Sequence, residues 1–292
     1  MRTAAIVGTG RIGRSIGTAL RARGVATYLL DTDADAVRVA QELGAGTAQP
    51  PPRPVDIAVL AVPPEQVAPV LAVQQKQGLA RCYTDTAGVK VRPQRQIEAS
   101  GCDLTSLVGG HPLVTDDHDG PPAARAELFE GCPWVLTPTG RTSSSALNAS
   151  LELVSLCGGV PVLADHAAHD RAMALVSHTP RLIATLLASR LRDADNATLR
   201  LAGQGVRDMT RAAGGSPALW TDILTANAHP VAEVLDALAA DISSAAAVLR
   251  GRAVHASGPS EDGEAAGERS GEALARLLEL GIKGRNRLPS GT

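Results

Sequence analysis

Residues 3–17 read TAAIVGTGRIGRSIG: a short apolar run, then Gly8-x-Gly10-x-x-Gly13, then the start of a helical pattern. No other stretch restricts the fold as strongly. Strand, glycine turn and helix in immediate succession form the first crossing of a βαβ unit. The first glycine permits the tight turn, the second lets the backbone approach a pyrophosphate, and the third lets helix and strand pack closely. The helix that follows offers free amides and the positive end of its dipole to phosphate groups. The spacing alone is weak evidence. It gains weight from Asp31, which ends the next β-rich run roughly 20 residues on, where a carboxylate can hold the adenosine ribose and repel a 2′-phosphate. The expected cofactor is NAD in preference to NADP.

The alternation continues. β-Rich runs at 3–8, 26–31, 55–62, 81–85, 104–109 and 133–137 are separated by helical patterns such as ADAVRVAQELG and PEQVAPVLAVQQ. Strands that are apolar throughout, rather than every second residue, are buried on both faces. The expected fold class is therefore α/β, with an N-terminal Rossmann-type, doubly wound parallel sheet. From about Leu163 the strand signal fades. Long apolar helical periodicity follows, as in AMALVSHTPRLIATLLASRL and HPVAEVLDALAADISSAAAVL, with Pro180 expected to break or kink its helix. Three segments result: 1–163, a dinucleotide-binding domain; 164–255, an all-helical domain for substrate and dimerisation; and 256–292, a polar linker with a short C-terminal helix and tail.

Composition excludes some classes. With 28 Lys and Arg against 30 Asp and Glu, and no long basic run, the footprint of a nucleic-acid binder is missing. No run approaches the ~20 apolar residues of a membrane span, and no signal peptide is evident. Cys82, Cys102, Cys132 and Cys157 have neither CxxC nor zinc-finger spacing and read as small buried thiols in a reducing compartment. A cytoplasmic enzyme acting on a small molecule is the expectation. Only five residues are Phe, Trp or Tyr, so the core must be aliphatic.

Several further stretches narrow the class. In order they are Asp85-Thr86-Ala87-Gly88-Val89-Lys90, Gly110-His111-Pro112, the run Leu128 to Pro138, His169-Asp170-Arg171, Ser177-His178-Thr179-Pro180, Gly205 to Arg211, Trp220-x-Asp222-Ile223 and Asn227. Together they resemble the prephenate/arogenate dehydrogenase (TyrA) family over residues 3–250. GHP and the RDxTR…WxDI…N block are its specific parts. The resemblance implies NAD-linked oxidative decarboxylation of a cyclohexadienyl acid, feeding tyrosine biosynthesis, by a homodimer joined through the helical domain. Prephenate would give 4-hydroxyphenylpyruvate, and arogenate would give tyrosine.

That chemistry needs an acceptor for the ring hydroxyl proton, cations for carboxylates and a dry pocket. A neutral imidazole suits the first, and by resemblance His111, expected in the loop after a strand, is the catalytic residue. Arg211 resembles the arginine that grips a substrate carboxylate. His178, Trp220 and Lys90 join the substrate set, Lys90 either holding a carboxylate or capping its neighbourhood, and Trp220 lining the pocket or packing. Gly8, Thr9, Gly10, Arg11, Ile12, Gly13, Asp31, Val62 and Asp85 form the expected cofactor set.

Three departures from the family pattern stand out. Gly88 replaces a residue that is often polar. SHTPR, with Arg181, replaces SHLPH. GHPLVTDD replaces GHPMAG and places Asp116 and Asp117 just beyond the histidine. Carboxylate and imidazole together can bind divalent ions, and His118 and Asp119 follow, but the reaction needs no metal and none is expected. A buried carboxylate would instead favour the ammonium of arogenate over the ketone of prephenate, with Asp116 first and Asp117 second; an exposed acidic turn is the alternative. A 4-amino-substituted prephenate of specialised metabolism and a non-catalytic NAD-binding regulator remain as further readings. A β-hydroxyacid dehydrogenase or imine reductase is disfavoured, because the lysine such enzymes need at the start of the helical domain is not found.

Overall fold

The computed structural model describes residues 1–51, 54–114, 125–255 and 261–288. The chain divides into two compact units, Met1–Val231 and Ala232–Thr292. The first holds a seven-stranded sheet: β1 (Thr3–Val7), β2 (Ala26–Leu30), β3 (Val55–Leu60), β4 (Ala80–Asp85), β5 (Leu107–Pro112), β6 (Pro133–Thr137) and β7 (Val160–Leu163). Their order is β2-β1-β3-β4-β5-β6-β7. Helices α1 (Arg11–Ala22), α2 (Ala34–Glu42), α3 (Val67–Lys76), α4 (Val91–Ala99) and α5 (Ser144–Leu156) lie between the strands in sequence.

Each inner strand feeds two cores, because successive side chains point to opposite faces. Ala4 and Ile6 of β1 join Ile16 and Leu20 of α1, Ala40 of α2 and Leu153 of α5 in one. Ala5 and Val7 join Val67 and Leu71 of α3 and Ile97 of α4 in the other. Ile6, Leu20 and Leu71 are fully buried, each contributing about 1.5–3 kcal/mol by burial. Asp33 caps α2 by accepting from the amides of Asp35 and Ala36, and Ser143 caps α5 by accepting from Ala146 N.

The order reverses between β1 and β3. Loops after the C-terminal ends of these strands therefore diverge and leave a crevice, the place where open α/β sheets bind ligands. The glycine loop after β1 occupies it.

The sheet corrects three expectations. It is mostly, not wholly, parallel: β6 runs antiparallel to β5, pairing His111 with Val135 and Pro112 with Trp134. β7 is an additional strand, parallel to β6, in residues to which no strand was assigned from sequence. And β5 lies further on than the expected 104–109, so His111 sits within the strand and not in the loop after it. The Gly-Gly-His-Pro run looks like a turn, but its glycines answer to crowding. A Cβ at Gly109 would lie 2.5 Å from Thr137 Oγ1, and one at Gly110 would lie 2.5 Å from Asp85 O.

Helices α6 (His166–Met173), α7 (Thr179–Leu191), α8 (Asn196–Arg200), α9 (Gln204–Thr210) and α10 (Pro217–Ala226) complete the first unit, with the start of α11 (Ala228–His255). Between α6 and α7 the backbone forms a π-helical turn, Ala174–His178. Pro180 falls in the first turn of α7, where no amide donor is required. The break it imposes is thus a change of helical register. In the second unit, α12 runs from Glu261 to Arg285. It is longer than the short helix expected after a linker over 256–271; glutamate and alanine within that polar stretch are strong helix formers. No helix among the described residues is long and apolar enough to cross a membrane.

Candidate active site

The glycine loop has the strained geometry its spacing implies. Gly8 has φ +96°, and a Cβ there would lie 2.3 Å from Ala61 O and 3.1 Å from Val62 Cγ1. A Cβ at Gly13 would lie 2.0 Å from Gly8 O. Gly10, in contrast, has no atom within 4 Å of its ideal Cβ position, so the loop opens there. It is also the N-cap of α1 and supplies no side chain to the helix amides. That open cradle at a helix N-terminus fits a pyrophosphate. Val62, just beyond β3, borders it across the strand crossover.

Asp31 closes the other side. Its Oδ2 accepts from Thr9 N at 2.6 Å and Thr9 Oγ1 at 2.9 Å, and its Oδ1 from Asp33 N at 3.1 Å. Partial burial opposes its ionisation, but these hydrogen bonds outweigh it and hold the carboxyl below its usual range. A fixed anion at the end of β2 suits a ribose diol and disfavours a 2′-phosphate. Thr9, itself buried, ties the glycine loop to this acid.

Across the sheet lies a chain of imidazoles. His111 Nδ1 is 2.9 Å from His169 Nε2, and His169 Nδ1 is 2.7 Å from Asp170 Oδ1. Asp170 also accepts from Lys90 N at 2.8 Å and Val91 N at 2.9 Å, the start of α4. Its burial disfavours charge, yet the hydrogen bonds from His169, Val91 and Lys90 outweigh that and lower its pKa. An ionised Asp170 can only accept, so His169 Nδ1 carries a proton. His111 is held well below the ordinary histidine range by burial of the ring first, then by His169, Lys90 and His178. With His169 Nδ1 the donor to Asp170, its Nε2 is the acceptor nitrogen, and His111 Nδ1 donates to it. The lone pair of His111 is then on Nε2. That atom faces Gly88, whose ideal Cβ position is 3.6 Å away, with Ile223 Cδ1 of α10 at 4.0 Å from the same point.

Lys90 and Asp85 serve this arrangement from beneath. Lys90 Nζ donates to Asp85 Oδ1 and Gly110 O, each at 2.5 Å, and Asp85 Oδ1 accepts from Ala87 N at 2.8 Å. Both side chains are almost fully buried. Of the two roles expected for Lys90, the structure supports the second: its charge is committed to Asp85 and fixes the β4–α4 loop against β5. Asp85, expected among the cofactor groups, directs its carboxylate into the protein for the same reason.

The helices after residue 165 supply the far wall. Asn227 Nδ2 donates to Asp170 O at 2.7 Å and to His178 Nδ1 at 3.0 Å. His178, at the end of the π-helical turn, is driven to a pKa of about 4 by burial, against the pull of Asp170, with His169 adding to the depression. Its ring meets Trp220 edge-on at 6.2 Å, and the Arg181 guanidinium lies 4.0 Å over the indole. Arg211 is exposed, in a 3₁₀ turn (Arg211–Ala213) that packs against α7. Asp116 and Asp117 lie outside the described residues.

The geometry thus brings together His111, His178, Trp220 and Lys90, which were singled out from sequence. It adds His169, Asp170, Asn227, Gly88 and Ile223, to which no site role was given. The His169-Asp170-Arg171 stretch, already among those that carry the family resemblance, was the available signal. Nothing in the spacing joins it to His111, 58 residues away.

A glycine-loop dinucleotide crevice beside a neutral histidine, with helices forming the opposite wall, defines a Rossmann-type dehydrogenase. Profiles of two families match: the nucleotide-binding domain of prephenate dehydrogenase over residues 16–163, and the dimerisation domain of prephenate dehydrogenase over 165–259. The chain belongs to the prephenate dehydrogenase family of NAD-dependent oxidoreductases. It is 48% identical over 290 residues to a probable prephenate dehydrogenase, NovF, of Streptomyces niveus, covering 99% of this chain and 78% of that one. It is 31% identical to a cyclohexadienyl dehydrogenase of Zymomonas mobilis, over 82% of this chain and 85% of the relative. The fold matches prephenate dehydrogenase of Aquifex aeolicus, solved with hydroxyphenyl propionate and NAD+, at a TM-score of 0.79, 24% identity and 98% coverage of both chains. Arogenate dehydrogenase of Synechocystis follows at 0.73, with 24% identity and 98% and 99% coverage.

Proposed function

We propose that this enzyme oxidatively decarboxylates prephenate, with arogenate as the alternative substrate, and that His111 is its catalytic base. The observation that carries the proposal is the placement of His111 Nε2, 3.6 Å from the ideal Cβ position of Gly88, on a ring whose pKa burial holds well below the ordinary histidine range. Similarity to the Streptomyces and Zymomonas relatives supports the substrate class. Gly8, Thr9, Gly10, Arg11, Ile12, Gly13, Asp31 and Val62 would hold NAD, which supplies the hydride acceptor when bound.

His111 Nε2 takes the proton of the ring hydroxyl as the ring carbon is oxidised. Arg211 pairs with a substrate carboxylate, and Trp220, His178 and Ile223 keep water from the ring. With arogenate as the substrate, Asp116, with Asp117 second, would be the carboxylate that selects its ammonium over a ketone. Residues 1–163 form the NAD-binding domain. Residues 164–255 form the helical substrate domain, which pairs two subunits, as supported by the match to a dimerisation domain and by Leu175, Val176 and Leu186, each more than half exposed. Four free cysteines fit a cytoplasmic setting.

The test is NADH formation with prephenate and arogenate in parallel. Turnover of either supports the reading. Turnover of arogenate alone assigns Asp116 or Asp117 to selection, and Asp116→Asn should then shift the kcat/KM ratio toward prephenate. Silence with both, in protein that binds NADH, overturns it and directs attention to the 4-amino-substituted analogue.

A further inference from the structure

We infer that His169 is a positioning residue that fixes the tautomer of His111 and receives a proton from it during the reaction, with Asp170 as the anion that holds it. The inference rests on the proposed chemistry and adds a second imidazole to it.

The chemistry demands a temporary place for one proton. The ring hydroxyl gives up its proton, its O–H electron pair becomes the second bond of a carbonyl, and hydride leaves the same carbon for NAD+. The ring then loses its carboxylate as CO2. The pair from that C–C bond restores aromaticity and leaves a phenolate oxygen, which takes a proton back. The whole reaction consumes prephenate and NAD+ and yields 4-hydroxyphenylpyruvate, CO2 and NADH with no net proton released. The protein must therefore keep the hydroxyl proton close until the phenolate forms.

A single half-buried ring with a strongly depressed pKa is a poor keeper, since burial opposes its cation. The groups facing it add to this: His169 itself when charged, then Lys90 from the β4–α4 loop, paired with Asp85, and His178 from the π-helical turn. His169 resolves this. Its Nε2 lies 2.9 Å from His111 Nδ1, and its Nδ1 already donates to Asp170 at 2.7 Å. As His111 Nε2 takes the substrate proton, its Nδ1 proton can pass to His169 Nε2. The positive charge then rests beside the Asp170 carboxylate, at 2% and 1% exposure for the two residues. Low dielectric strengthens that pairing. The same path reversed delivers the proton to the phenolate.

Asp170 is anchored for the purpose. Two amides from the start of α4 and the ring of His169 share its two oxygens, and Asn227 Nδ2 holds its carbonyl. The relay thereby also determines that the free lone pair of His111 is on Nε2, the atom facing Gly88.

The test uses the full chain labelled with ¹⁵N histidine, and the variants His169→Gln and His169→Phe. A glutamine amide can replace Nε2 as an acceptor for His111 but cannot carry a proton. In the wild type, the nitrogen shifts should show His111 protonated at Nδ1 and bare at Nε2. His169→Gln should keep that tautomer yet lose on the order of 100-fold in kcat, with KM within about threefold. His169→Phe should lose the tautomer preference as well. NADH binding and circular dichroism check folding; if the Phe variant fails to fold, the wild-type spectrum and the Gln variant decide. His111 protonated at Nε2 in the wild type, or a Gln variant within threefold of wild-type kcat, overturns the inference. Because the tautomer is read without turnover, its failure is distinguishable from a wrong choice of substrate.

Discussion

Acid should unfold this protein earlier than its carboxylates alone would dictate, because loss of solvent lowers the pKa of three of its histidines. His178 allows the effect to be sized. Its ring is 2% exposed, hydrogen-bonded to Asn227, and its pKa is pushed by burial to about 4. In the unfolded chain the same ring titrates near 6.5. Between those two values the unfolded state binds a proton that the native state refuses, so stability falls as pH falls. Above pH ~7 neither state is protonated and the term is flat. Each pH unit is worth about 1.4 kcal/mol, so this ring alone removes about 2 kcal/mol by pH 5 and about 3 kcal/mol by pH 4. His111 and His166 are depressed too, both by burial first, and act with the same sign. The lowered carboxyls of Asp31, Asp56, Asp103 and Asp170 add their losses at lower pH, around and below their ordinary range.

The assay is urea unfolding at fixed protein concentration from pH 8 to pH 5, since a subunit equilibrium would make the midpoint concentration-dependent. Stability should be level to about pH 7 and then drop by more than about 2 kcal/mol by pH 5. His178→Asn places an amide oxygen where Nδ1 accepts from Asn227 and removes the titration. Its curve should fall less steeply below pH 6.5, by up to 1.4 kcal/mol per pH unit. A total loss under about 1 kcal/mol across the range, or an unchanged slope in the variant, would refute the reasoning.

Three further outcomes are expected. Gly13→Ala would place a methyl 2.0 Å from the backbone oxygen of Gly8, so NADH titration should find cofactor affinity lost or the protein unfolded; near-normal binding would contradict the loop geometry. Asp31→Asn removes the anion held by Thr9 and Asp33, and the ratio of kcat/KM for NAD over NADP should fall at least about tenfold. Gly88→Ser meets only ordinary contacts, the nearest at 3.6 Å from His111 Nε2, so it should fold normally. Its hydroxyl can join Nε2 at the reacting oxygen, and kcat/KM for a ring-hydroxyl substrate should rise several-fold; an unchanged value would remove Gly88 from the pocket.

Much of this molecule is legible without coordinates, and the reason is locality. The glycine loop, Asp31 and the alternation of strands and helices are short-range patterns, each dictated by backbone sterics or by which faces a strand must bury. Family resemblance extended that reading to His111, His178 and Trp220. Locality also explains the misreadings. Gly109 and Gly110 look like a turn, yet they lie in a strand because Thr137 and Asp85 leave no room for side chains. The antiparallel β6 and the added β7 depend on which neighbour a strand finds, and a strand's own residues do not record that.

The relay is the clearest case of what only the tertiary structure decides. His111 sits on β5 and His169 on α6, and no spacing rule joins them. Their contact exists because Asp170 accepts the first amides of α4 and so pins α6 beside the C-terminal ends of the strands. The sequence by itself determined that a dinucleotide crevice forms beside a reactive histidine. Packing decided which nitrogen of that histidine is free, because a lone pair is assigned by hydrogen-bond partners that are remote along the chain and adjacent only once it has folded.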